Sequence, residues 1–78
     1  MKKSQLRPIK GVKFANGALS RSDFKKIQKA FGFTSFEMAD ALAMKRRTII
    51  AMRSGERNIA PWTVKLMQYV AKERGFIF

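Results

Sequence analysis

Residues 34–57 read TSFEMADALAMKRRTIIAMRSGER, and the fold turns on how this stretch divides. It opens on Thr34-Ser35-Phe36-Glu37, the spacing of a capping box, in which a hydroxyl and a carboxylate satisfy backbone N–H groups three residues apart. Phe33 and Met38 stand at the two positions of a hydrophobic staple. A helix is predicted from there to about Leu42, with Met38 and Leu42 one turn apart on its inner face and Ala39 beside them. A second helix of the stretch begins near Lys45 and ends at Ser54-Gly55. Its start is unusual. Lys45, Arg46 and Arg47 put three cations where the helix macrodipole is already positive, an arrangement that is slightly unfavourable unless something negative is meant to lie there.

At ~100° per residue, Arg46, Arg47, Ile50, Ala51 and Ser54 fall within an arc of about 140°, and Thr48, Ile49 and Met52 lie on the other side. Ile49 and Met52 therefore anchor this helix to a core and turn the arginine-bearing face outward. Cations at a helix N-terminus are tolerable when that end points at phosphates and base edges, as it does for a helix lying in the major groove.

Outward from this stretch, the pattern upstream predicts another helix. Ser20-x-x-Asp23 has capping-box spacing, with Asp in place of the usual Glu or Gln. Phe24, Ile27 and Phe31 form one apolar stripe, Lys25, Lys26 and Lys29 face water, and Gly32 supplies the stop. Downstream, Asn58-Ile59-Ala60 is a connection and Pro61 suits the first position of a last helix running to about Lys72, closed by Gly75. Trp62, Leu66, Tyr69 and Val70 make one stripe of that helix, and Val64, Met67 and Ala71 widen it. One stripe must cover the core. The remainder is either further core packing or a dimer face that recruits the tail, with Met67, Tyr69, Phe76 and Phe78 as its candidates. The dimer face is the preferred reading.

Residues 1–19 carry Pro8, Gly11 and Gly17 and show no helical period, which predicts an extended basic arm preceding a domain of residues 20–78. Lys2, Lys3 and Arg7 are its candidate DNA contacts, as in a minor-groove arm, and a solubilising tail is the equal alternative. No internal repeat or strand alternation is evident.

The totals agree with one small domain. The chain has 78 residues, 46% of them hydrophobic, including seven Phe, enough to pack a core despite the charge. It has no Cys and no His, which excludes disulfides, thiol or imidazole catalysis and zinc sites built on those ligands. Lys and Arg number 17 against 5 acidic residues, a net charge of +12, and so extreme a balance predicts a polyanionic partner. With Asp23 and Glu37 already used as caps and no glycine-rich phosphate loop, enzyme chemistry has little support, and neither a cofactor, a metal nor a small-molecule ligand is expected. No run approaches the ~20 apolar residues of a membrane span, and no signal-peptide pattern follows Lys2 and Lys3, so a cytoplasmic protein is expected.

The same residues resemble a family. TSFEMADALAMKRRTIIAMRSGER is similar to the helix-turn-helix of the lambda Cro and repressor type, often called the XRE family. That pattern asks for apolar residues at Met38, Leu42, Met44, Ile49 and Met52 and a small one at Ala39 where the helices cross. All are present, and Gly55-Glu56-Arg57 and the Pro-started last helix match too. Two positions depart: Ala43 stands where the turn usually has Gly, and Lys45 where a Ser or Thr cap is usual. The resemblance covers roughly residues 20–72. In size, and in Ala60-Pro61-Trp62-Thr63-Val64, the chain also looks like short phage regulators of the anti-CRISPR-associated repressor kind.

The resemblance implies an all-α, compact bundle of four to five helices containing a helix-turn-helix. It implies that Arg46, Arg47, Ile50 and Ala51 face bases, and that Thr34, Ser35, Lys45 and Ser54 approach phosphate, with Arg57 a further phosphate candidate. The function expected is a dimeric, sequence-specific repressor from a phage or other mobile element, acting at the nucleoid of a bacterial host on an inverted-repeat operator in double-stranded DNA, its own operon first. The alternative is an antitoxin-like protein that binds a protein partner through its C-terminal apolar face and autoregulates. A membrane-active basic protein is disfavoured, because the cations occur on several faces.

Overall fold

Ser20 caps the first helix through its hydroxyl, which accepts from the Asp23 N–H at 3.1 Å. The computed structural model describes residues 6–12 and 19–78, and along them run β1 (Arg7–Pro8), α1 (Arg21–Phe31), α2 (Ser35–Ala41), α3 (Arg46–Ser54), α4 (Pro61–Glu73) and β2 (Phe76–Ile77). Helix dominates, as expected. Only the Ser20 half of the first capping box forms, since Asp is a methylene shorter than Glu. In α2 both halves are made: Thr34 Oγ1 accepts from the Glu37 N–H at 3.1 Å, and Glu37 Oε1 accepts from the Thr34 N–H at 2.9 Å. Pro61 stands in the first turn of α4, where its missing N–H costs nothing.

The stops follow the same backbone logic. Gly32 ends α1 at φ 73°, and the Phe33 N–H turns back to the Gln28 carbonyl at 3.3 Å. After α2 the chain repeats that geometry: the Met44 N–H reaches the Ala39 carbonyl at 2.8 Å, and the left-handed residue before it is Ala43, at φ 55°. It is the one non-glycine residue with positive φ among those described. An alanine there carries the Cβ crowding that glycine avoids.

The core is built from one face of each helix. Phe24, Ile27 and Phe31 of α1, Met38 and Ala39 of α2 with Leu42, Ile49 and Met52 of α3, and Val64, Met67 and Ala71 of α4 are all buried. Each large side chain removed from water contributes about 1.5–3 kcal/mol. Helix α3 packs against both α1 and α2, which leaves only its far side open.

Two findings correct the sequence reading. Residues 7–9, expected in an extended arm preceding the domain, belong to the fold: β1 pairs in parallel with β2, the Arg7 N–H donating to Gly75 O at 2.9 Å and the Ile9 N–H to Ile77 O at 3.2 Å. Pro8 sits between those donors, where the ladder needs no N–H, and Ile9 is buried against the core. The packing therefore begins before the boundary expected at Ser20. Met67, expected at a dimer face, is fully buried, and the inward stripe of α4 is Thr63, Val64, Met67 and Ala71. Trp62, Leu66 and Tyr69 face water instead. Val64, Met67 and Ala71 bring mainly apolar surface to the core, whereas the indole N–H of Trp62 and the phenol O–H of Tyr69 keep a wet edge.

Candidate nucleic-acid interface

The exposed side of α3 carries Arg46, Arg47 and Ile50, the last 47% exposed, with Ala51 half-buried beside them. On the opposite side Ile49 and Met52 are sealed in the core. The periodicity thus gave the correct inner and outer faces. Thr34, Lys45, Ser54 and Arg57 are exposed and Ser35 is half-buried, so both the start of α2 and the start of α3 are open to solvent. The Thr34 hydroxyl accepts from Glu37 and keeps its own proton for a further acceptor. Ser54 does not: its Oγ donates to Ala51 O at 3.0 Å, which leaves it only lone pairs to offer, the wrong polarity for a phosphate oxygen.

The N-terminus of α3 has no side-chain cap at Lys45. Lys45, Arg46 and Arg47 are all exposed, so first-turn N–H dipoles and three cations converge on one open region. A negatively charged group there is favoured by both.

Behind this face, α3 is held by polar ties that the sequence reading missed. Arg53 Nη1 donates to Gln28 Oε1 at 2.9 Å, and Gln28 Nε2 donates to Phe33 O at 3.1 Å. Gln28 is 5% exposed, so one buried amide links α1, the start of α2 and α3. At the far end of α3, Arg21 Nη1 donates to Ser54 O at 2.8 Å. A cation at a helix C-terminus satisfies an orphan carbonyl and the dipole together. A partner that is a backbone carbonyl or a distant amide has no sequence signature; the one hint was that Arg53 lies within a turn of buried Ile49.

The remaining candidates divide. Lys2 and Lys3 lie outside the described residues. Arg7 is exposed in β1, fixed next to the tail rather than on a free arm. Phe76 is half-buried with its ring centroid 6.2 Å from that of Phe31, and Phe78 is half-buried; both serve the fold more than a surface. Tyr69 is 72% exposed. Among the described residues no group of His, Cys, Asp or Glu is arranged to hold a metal ion, and no helix is long and apolar enough to cross a membrane.

No protein-family model, curated protein or solved structure matches this chain.

Proposed function

We propose that this protein is a sequence-specific DNA-binding regulator that reads the major groove with α3. The observation that carries the reading is the outward face of that helix: Arg46, Arg47 and Ile50 exposed at an uncapped, cation-rich N-terminal end, on a helix whose other face is locked by Ile49 and Met52. In this reading α2 and α3 form a helix-turn-helix with Ala43 in its left-handed turn position. Arg46 and Arg47 hydrogen-bond base edges, Ile50 and Ala51 contact thymine methyls, and Lys45, Thr34, Ser35 and Arg57 engage phosphate. The Arg21 and Arg53 ties support it further, because a reading helix must hold its side chains in fixed register.

The protein acts as a homodimeric repressor on an inverted repeat, most economically in its own promoter, by excluding polymerase. Its origin in a phage or mobile element, and its place at the bacterial nucleoid, belong to the same proposal. Gel-shift titration on the DNA upstream of its own gene, against excess unrelated duplex, tests it. Retention that survives competitor and is lost in Arg47→Ala supports base reading, and equal binding to every duplex defeats it.

One observation favours a second reading. Trp62, Leu66, Tyr69 and Ile77 are exposed apolar residues on and beside α4, a surface that suits the protein partner of an antitoxin-like regulator.

A further inference from the structure

We infer that the exposed face of α4 is a self-complementary interface, on which a second copy of this chain packs antiparallel about a twofold axis passing through Tyr69. This deepens the homodimer of the proposed function and names its surface.

Trp62, Leu66 and Tyr69 stand at i, i+4 and i+7 on the 13-residue helix α4 and are 58%, 36% and 72% exposed. They form one continuous stripe, since residues three and four apart are neighbours on a helix. Two of the three are aromatic, the side chains that supply most interface energy. Lys65 and Glu73 flank Tyr69 on the same face, four residues before it and four after it. Both are exposed. Neither side chain has a hydrogen-bond or ion-pair partner among the described residues.

That symmetric placement carries the argument. In an antiparallel pair centred on Tyr69, every residue n stands level with residue 138 − n, so Lys65 meets the partner's Glu73 and Glu73 meets the partner's Lys65. Leu66 lies against the methylenes of the partner's Lys72. Trp62 reaches the end of the partner's helix at the level of Phe76. On a chain with 17 cations and 5 acidic residues, most charges on one copy repel those on another; Glu73 stands where a twofold axis brings it to a lysine. A parallel arrangement would set Lys65 against Lys65 and Glu73 against Glu73.

Two helices of this length side by side cover less than the ~800 Å² per partner of a stable standing complex. The pair is accordingly weak in free solution and strengthened when two half-sites hold the copies together.

Sedimentation equilibrium of the full chain without DNA, from about 10 µM to 1 mM, with far-UV circular dichroism to verify folding, tests the interface. Reversible monomer–dimer association is expected. Lys65→Glu and Glu73→Lys should each weaken it by about tenfold or more, as like charges then face each other. Lys65→Glu is the sharper variant, because it lowers the net charge and general repulsion alone would make it associate more strongly. The double variant Lys65→Glu with Glu73→Lys should return association to near the original level, which no contact within one helix explains, the two positions being eight residues apart. A monomer at every concentration, stronger association of Lys65→Glu, or a double variant no better than the singles would overturn the interface. Binding of one copy to a single half-site is measured separately and reads the α3 arginines alone, so failure of either assay leaves the other standing.

Discussion

Arg21, the first residue of α1, closes the last turn of α3 thirty-three residues away: its Nη1 lies 2.8 Å from the Ser54 carbonyl. The same guanidinium fills the space in front of Gly55, where a Cβ would meet Nη1 at 2.6 Å. Gly55 is left-handed, at φ 89°, so the backbone favours glycine, and a Cβ there would also push aside the flexible end of Arg21. Gly55→Ala is expected to destabilise the fold by about 1–3 kcal/mol, from the left-handed conformation of a residue with a Cβ plus displacement of Arg21. Arg21→Ala should cost about 1 kcal/mol, the worth of one net hydrogen bond. Urea titration of both variants and their combination checks this. Because alanine at 55 displaces the arginine, the double variant should be less destabilised than the sum of the singles.

Ala43 presents the opposite case. It holds φ 55° with a Cβ that the conformation disfavours by about 1–2 kcal/mol. Glycine relieves this and gives back about 0.4–1 kcal/mol through its freer unfolded chain. Ala43→Gly should therefore raise stability modestly, and Ala43→Val should lower it by more than 1 kcal/mol or so. A thermal melt in which glycine lowers Tm would contradict the strain.

Stability and reading should separate on α3. Ile49→Ala empties a fully buried site and should cost about 2–5 kcal/mol. Arg47→Ala touches only solvent and should leave Tm nearly unchanged while weakening specific DNA binding by about 1–3 kcal/mol. The reverse ranking would mean that the helix is turned the other way.

The N-terminal segment should show two different dependences. Removing residues 1–12 takes away β1 and buried Ile9 and should lower stability by about 1.5–3 kcal/mol from lost apolar burial. Replacing Lys2 and Lys3 by Ala should leave stability unchanged. If these lysines touch phosphate, the log–log salt dependence of DNA binding flattens by about 0.9 for each contact. An unchanged slope would assign them to solubility alone.

The proposed homodimer should impose its symmetry on the operator. Two α3 helices related by a twofold axis should protect an inverted repeat with half-site centres about 10 base pairs apart. Each half should contain a G placed for Arg46 or Arg47, since arginine pairs bidentately with that base. Footprinting together with stoichiometry measures both, and a one-to-one complex on a site without a repeat would refute the arrangement.

What could be read from the sequence was what short-range physics writes there. Thr34 with Glu37, Ser20 and Pro61 announce helix starts, Gly32, Gly55 and Gly75 announce stops, and the angular spacing of Arg46 and Ile49 separates the two sides of α3. The pairing of Arg7 with Phe76 left no trace, because two-residue strands have no period and their partners lie at opposite ends of the chain. The orientation of α4 was ambiguous for another reason: it carries two apolar stripes, and only packing against the other elements decides that Met67 goes in and Tyr69 stays out. The supports of α3 through Arg21 and Arg53 were equally silent, since any arginine can bond any carbonyl or amide within its reach.

The β1–β2 ladder also orders events in time. The helices and their caps are made of contacts within a few residues, which form fast, whereas the bond from Arg7 to Gly75 closes a loop of nearly the whole chain. During synthesis α1, α2 and α3 are all added before Phe76 and Ile77 are joined to the chain. The segment around Ile9 must wait, unpaired, for the tail. Addition of Phe76 and Ile77 is thus the step that gives β1 its partner and lets Ile9 enter the core.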